Sequence, residues 1–346
     1  MSRIMASLFS YRAHGLLNTV FPVATRIIGL PSISLLGSRH HQHCEARYVP
    51  RRAVLYVPGD DEHKISKLPG LHADCTIMDC EDGVAQNRKE VARETIRNAL
   101  ATLPQGGPER TVRLNSVASG IAEEDLRAIL SGPTLPPTLL LPKVDTVEEI
   151  RWFADQFSTL MKGRSLPVPM NLITYVESAM GLLNFQNVCE EGSRLGQSAG
   201  FRLVGTVFGS DDFCASMGTT RTADAHELLY TRQKIVTTAK AYGLQAIDLV
   251  YTEYKDEVGL ERQAQEGALM GFTGKQVIHP GQINAVQKAF SPSARQLDWA
   301  RELISTFEEH QKLGKGAFTF RGSMIDMPVL RQARNVLALA LADAAR

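Results

Sequence analysis

The sequence predicts a parallel (β/α)8, or TIM, barrel followed by a C-terminal helical extension. Three observations lead there. Eight short apolar segments recur between residues 51 and 280. Amphipathic stretches with helical spacing lie between them. The segments are apolar on both faces, as strands of a helix-covered parallel sheet must be. Eight such units close into a barrel rather than an open sheet.

In chain order, RRAVLYVPG gives the first strand and ends in a Pro-Gly turn. DCTIMDCED gives the second, and NRKEVARETIRNAL the helix behind it. RTVRLNS and AEEDLRAIL form the third unit, PTLLLPKVD and TVEEIRWFADQF the fourth. NLITYVES runs straight into MGLLNFQNVCEE, and RLVGTVFGSDD precedes the long LLYTRQKIVTTAKAYG helix. AIDLVYTE with LERQAQEGALM, then GKQVIHP with GQINAVQKAF, complete the ring near Phe290. A barrel domain over residues 46–290 is therefore expected, with residues 291–346 as an extension. The extension reads as a helix at LDWARELISTFEEHQK, a glycine-flanked segment GKGAFTFRGSMID suited to a movable cover, and a last helix. That helix carries an apolar stripe (Val336, Leu337, Leu339, Leu341) that must pack on the barrel or on a neighbouring subunit.

Residues 1–44 contain four arginines, six serines and no Asp or Glu, and they lack the compact apolar run of a secretory signal. This composition is that of a mitochondrial transit peptide, expected over residues 1–45 and pointing to the mitochondrial matrix. With a net charge of +1 the chain has no nucleic-acid footprint, and it contains no apolar run of membrane-spanning length. The five cysteines (Cys44, Cys75, Cys80, Cys189, Cys214) are odd in number and without a CxxC, which suits free thiols and argues against a zinc cage.

Barrel enzymes place their chemistry at the C-terminal ends of the strands. The first polar residues there are Tyr56, then Asp79, Glu81 and Asp82, then Arg113 and Asn115, Lys143, Glu177, Asp212 and His279. Glu177 and Asp212 end consecutive strands. Two such carboxylates repel unless a hard divalent cation lies between them, and Mg2+ takes one or two carboxylates and fills its remaining positions with water and substrate oxygens. Capping of the following helices is the competing reading for either acid taken singly. Arg113 could grip a substrate carboxylate, with the Asp79, Glu81 and Asp82 cluster orienting it. Lys64 and Lys67 could meet phosphates or simply form a solvated helix face. Lys143 could be a Schiff-base lysine or a salt bridge to the acidic rim.

Beyond these single readings, RRAVLYVPG, DCEDGVA, VRLNS, LLPKV, YVESAMGLLN, VFGSDDF, GKQVIHP and GSMIDMP run in order through residues 50–330. Together they resemble the HpcH/HpaI aldolase superfamily in its citrate-lyase β-subunit-like branch, and the leader resembles that of the branch's animal mitochondrial members. The resemblance implies a Mg2+-dependent enzyme that splits citramalyl-CoA, an acyl-CoA substrate, into pyruvate and acetyl-CoA. It also implies malate-synthase-like condensation, thioester hydrolysis and a homotrimer. On the matching motifs, Glu177 and Asp212 would hold the metal. Tyr56, Lys67 and Arg113 would bind substrate or CoA, Ile278 and His279 would contact the CoA arm, and Asp326 would be the catalytic acid/base, acting in its own chain or in a neighbour's barrel. The first-helix segment reads HKISK where relatives resemble KKIKK, so His63 stands beside Lys64 in place of a CoA-binding lysine. Two other readings remain open: an enzyme preferring glyoxylate, and a non-catalytic citrate-lyase-like scaffold subunit.

Overall fold

A computed structural model describes residues 49–312 and 318–344. The expected transit peptide lies outside the described residues.

The alternation of segments produces the alternation of elements. β1 (Ala53–Pro58) leads to the short α1 (Glu62–Ile65); β2 (Cys75–Asp79), α2 (Lys89–Thr102), β3 (Glu109–Arg113) and α3 (Ala122–Leu130) follow. Next come β4 (Thr138–Leu141), α4 (Val147–Leu160), β5 (Met170–Val176) and α5 (Ala179–Ala199). β6 (Phe201–Phe208) is followed by two helices, α6 (Ser210–Met217) and α7 (Leu229–Ala241). β7 (Gln245–Asp248), α8 (Glu257–Met270), β8 (Gly274–Val277) and α9 (Ile283–Ala289) finish the ring. The strands pair in sequence order as a closed barrel, β1 meeting β8 at Ala53↔Lys275, and every pairing is parallel. All eight C-terminal ends consequently open at one mouth.

Period-2 alternation sorts the strand residues into two apolar layers. Val54, Ile77, Leu140, Ile173, Tyr175, Val207 and Ile247 fill the barrel interior. The alternate positions, among them Leu55, Met78, Leu139 and Leu172, face the helices and join Ile96, Leu126, Phe153, Phe157 and Phe185 in the larger outer core. Helix starts follow local chemistry. Thr146 caps α4 in a reciprocal capping box with Glu149, and Ser178 caps α5 by accepting from Gly181 N–H.

The extension begins with α10 (Ala294–Lys312), then a hairpin of β9 (Phe318–Phe320) and β10 (Ser323–Ile325), then α11 (Met327–Ala344). Arg321 and Gly322 both have positive φ (49° and 81°), the conformation that a two-residue turn between twisted strands requires. Ala300, Leu303, Phe307, Phe320, Ile325, Leu330 and Ala333 form a small core belonging to the extension itself, with Val336 and Leu337 packed against it. Leu339 and Leu341 of the apolar stripe stay exposed.

Candidate functional site at the barrel mouth

Register brings Asp79 opposite Arg113 at the ends of β2 and β3. Arg113 lies buried, its Nε and Nη2 each 2.7 Å from the two Asp79 carboxylate oxygens. Such a fork is the strongest side-chain pairing available to a carboxylate. Burial pushes the Asp79 carboxyl upward, but the charge and hydrogen bonds of Arg113, helped by the Glu81 and Gly83 amides, outweigh it and hold the group below its usual range. Arg113 also lies over the rings of Tyr56 (5.0 Å) and Tyr175 (5.8 Å). Tyr56 donates to Gln276 Oε1 at 3.0 Å, because the Gln276 amide nitrogen is spent on the Phe208 and Asp248 carbonyls. Tyr175 must then donate to Tyr56 across their 2.7 Å contact. Burial raises both phenols, so the guanidinium sits on two neutral rings.

Arg113 Nη1 approaches Glu81 Oε2 at 2.7 Å, yet that oxygen has no aligned hydrogen bond. The contact is one of charge, not of directed donation, and Glu81 is correspondingly raised by its burial in spite of it. Lys143 Nζ completes the cluster, 2.8 Å from Glu81 Oε1 and 3.4 Å from Asp82 Oδ1. Desolvation opposes the ammonium, but Glu81, Asp82 and Asp212 raise its pKa above the usual value. A lysine held this firmly protonated is no Schiff-base nucleophile, so the salt-bridge reading describes Lys143.

Across the mouth stands the acid pair. Glu177, one residue past β5, is 5% exposed and accepts the Lys143 backbone N–H at 2.7 Å. Its pKa rises to about 8, first through burial, then through the charges of Glu81 and Asp212, with the Lys143 amide and Arg113 compensating only in part. Gly209 makes room for it: a Cβ there would come within 2.3 Å of Glu177 Oε1. Asp212 sits half-buried in the first turn of α6, and among the described residues its side chain forms no hydrogen bond or ion pair. A buried carboxylate short of positive charge, a neighbouring acid with free oxygens and a cradle emptied by glycine together fit a cation. Among the described residues no group of three or more His, Cys, Asp or Glu could hold a metal, so an ion here would take most of its ligands from water and substrate. Mg2+ binds in that manner.

The remaining predicted residues surround this centre less tightly. His63, Lys64 and Lys67 lie exposed on and just after α1, with Lys64 Nζ 2.9 Å from Asp61, the residue that caps the helix. Ile278 is exposed, and its N–H and that of His279 both reach Gln282 Oε1. His279 accepts from Gly281 N–H through Nδ1 (3.1 Å), which leaves Nε2 directed elsewhere, and its ring lies 5.0 Å from that of Tyr254. Asp326 caps α11 by accepting from Val329 N–H at 3.3 Å, and none of its hydrogen bonds among the described residues reaches the mouth. Sequence reasoning passed over Tyr175 and Gly209. Tyr175 was legible, since it precedes Glu177 by two on one strand and so shares its inward face.

A closed parallel barrel whose mouth joins a buried arginine to an acid pair defines a (β/α)8-barrel enzyme of the metal-assisted type. The chain belongs to the HpcH/HpaI aldolase/citrate lyase family, whose model matches residues 52–280. It is 57% identical over 311 residues to the citramalyl-CoA lyase, mitochondrial, of Homo sapiens, covering 90% of each chain. It is 31% identical over 294 residues to the citrate lyase subunit beta of Leuconostoc mesenteroides subsp. cremoris, covering 85% of this chain and 94% of that one. Among solved structures it resembles protein CitE from Mycobacterium tuberculosis in complex with magnesium, acetoacetate and coenzyme A. There the TM-score is 0.66 at 30% identity, over 84% of this chain and 98% of that one.

Proposed function

We propose that this chain is a Mg2+-dependent lyase of the mitochondrial matrix that cleaves citramalyl-CoA into pyruvate and acetyl-CoA, with Glu177 and Asp212 holding the metal. The supporting observation is that a 57% identical relative bears that activity in its name while the acid pair its chemistry needs stands at this barrel's mouth. Bound there, Mg2+ would act as a Lewis acid toward the oxygens of the citramalyl group.

The chain's own residues do the rest. Cleavage leaves negative charge on the thioester oxygen of the departing acetyl-CoA enolate. Arg113, pre-oriented by Asp79 through Nε and Nη2, supplies fixed positive potential there. Tyr56 and Tyr175 present their rings to the guanidinium. Lys64, Lys67, Ile278 and His279 flank the same mouth, where the CoA arm enters. The citramalyl hydroxyl releases its proton to water as it becomes the pyruvate carbonyl, and Asp326 delivers a proton to the α-carbon of the enolate. In its own chain Asp326 caps a helix away from the mouth's hydrogen bonds, which favours delivery from the neighbouring subunit of a homotrimer. Running backwards, the same groups condense acetyl-CoA with glyoxylate or pyruvate, and water entry gives thioester hydrolysis.

A preference for malyl-CoA is the second reading, favoured by 32% identity over 296 residues to a (3S)-malyl-CoA thioesterase of Cereibacter sphaeroides. One methyl group separates the substrates, worth about 1–3 kcal/mol in a pocket. A coupled assay of both thioesters with and without Mg2+ decides it: faster citramalyl-CoA turnover that EDTA abolishes is expected. Turnover of neither, with intact fold, would leave the scaffold reading. Asp326→Asn should lower turnover about 10²–10⁴-fold while Mg2+ binding stays unchanged. Near-normal turnover in that variant removes Asp326 from the mechanism.

A further inference from the structure

Five carboxylates crowd one mouth, yet a single ion suffices for the chemistry. Asp79 is consumed by the Arg113 fork. That leaves two acid pairs, Glu81 with Asp82 and Glu177 with Asp212, and nothing in residue type distinguishes them as sites for a hard cation. Lys143 stands between the pairs and treats them differently. Its ammonium lies on Glu81 (2.8 Å) and Asp82 (3.4 Å), whereas its backbone N–H, not its charge, is bonded to Glu177 (2.7 Å). Lys143 offers both groups from an unusual backbone: its φ is +51°, the left-handed conformation that non-glycine residues rarely adopt. Glycine would adopt it freely, so the strain is retained together with the side chain.

We propose that Lys143 is a positioning residue that assigns the divalent ion to its place. Its ammonium occupies the cation position of the Glu81–Asp82 pair, so Mg2+ goes to Glu177 and Asp212, whose oxygens its amide helps to aim. This rests on the metal reading given under Proposed function. Glu81 is buried and offers Oε1 to the ammonium while Oε2 lies 2.7 Å from Arg113 Nη1, so removal of the lysine side chain leaves Oε1 without its counter-charge.

Mn2+ titration followed by electron paramagnetic resonance tests this on the full-length protein without reference to turnover. The wild type should bind one Mn2+ per chain, and Lys143→Arg should match it. Lys143→Met should bind a second Mn2+, with affinity within about tenfold of the first, since two carboxylates define each position. The double variant Lys143→Met/Glu81→Gln should return to one. Should the methionine variant fail to fold, Lys143→Gln, which keeps a neutral hydrogen bond to Glu81, carries the same expectation. A single Mn2+ of wild-type affinity in the methionine or glutamine variant overturns the inference and leaves the functional reading standing, as does loss of all binding there. A wild type that takes up no Mn2+ overturns both.

Discussion

At the N-terminal end of the barrel, Arg51 places Nε and Nη2 on the two oxygens of Glu109, at 2.6 and 2.8 Å, while Thr138 donates to the same carboxylate at 2.6 Å and Gln245 accepts from Nη1 at 3.2 Å. Arg51 and Glu109 meet as opposite charges inside the chain. At the C-terminal end Glu177 is just as buried, yet its direct partner is an amide, and its nearest charges include Glu81 and Asp212. Both ends use the same strands and nearly the same burial. Glu109 has its counter-charge supplied by the chain, whereas Glu177 is left short of one at the mouth, where a cation from outside can complete it. A protein selected for stability alone would have treated both ends like the first.

Breaking the closed end gives the largest effect on the fold. Arg51→Met strands Glu109 in a buried layer and should cost about 3–5 kcal/mol in urea unfolding. The Mg2+ dependence of the folded enzyme should stay as it was; a shift there would show that the two ends are coupled and the contrast is false.

The open end should respond with the opposite sign. Glu177 keeps its proton in the fold up to about pH 8 but loses it near 4.5 when unfolded. Below 4.5 both states are protonated and nothing is at stake. As pH rises from 4.5 to 8 the unfolded state ionises first, so the metal-free protein loses stability across that window, and the full cost remains above it. Glu177→Gln removes this slope, leaving the variant more stable than wild type at pH 8 by on the order of 5 kcal/mol. Chemical denaturation in EDTA at pH 5 and pH 8 reads the difference. Equal slopes in the two proteins would mean that Glu177 is satisfied within the chain. The smallest effect belongs to the solvated border. Lys67→Ala should raise the KM for the CoA substrate only a few-fold, more at low salt than at high, with kcat and unfolding unchanged; a fall in kcat would move Lys67 from the border into the reacting centre.

The barrel was legible because its evidence is repeated: eight both-face-apolar segments, each with a helix, survive errors of a few residues at any boundary. Glu177, Asp212, Arg113 and Tyr56 were legible as the first polar residues past those segments, since strand direction fixes where they emerge. What stayed hidden depends on distances no spacing encodes. That Arg113 spends its fork on Asp79 follows from the β2–β3 register, and that Lys143 turns left-handed to serve two acids follows from a backbone angle. Gly209 reads as an ordinary turn glycine until Glu177 is seen occupying the space its side chain would need. The first helix after β6 went unread because SDDFCASM is too short to show a period. The hairpin at 318–325 was read only as a glycine-flanked cover, since three-residue strands carry almost no alternation.

The position of the divalent ion decides between the two acid pairs. Crystals of the wild-type protein grown with Mn2+ and pyruvate should show one anomalous peak at the mouth, bonded to an oxygen of Glu177 and an oxygen of Asp212, with pyruvate oxygens and water completing the shell. A peak seated on Glu81 and Asp82 instead, or Glu177 and Asp212 turned apart with no ion between them, would contradict it.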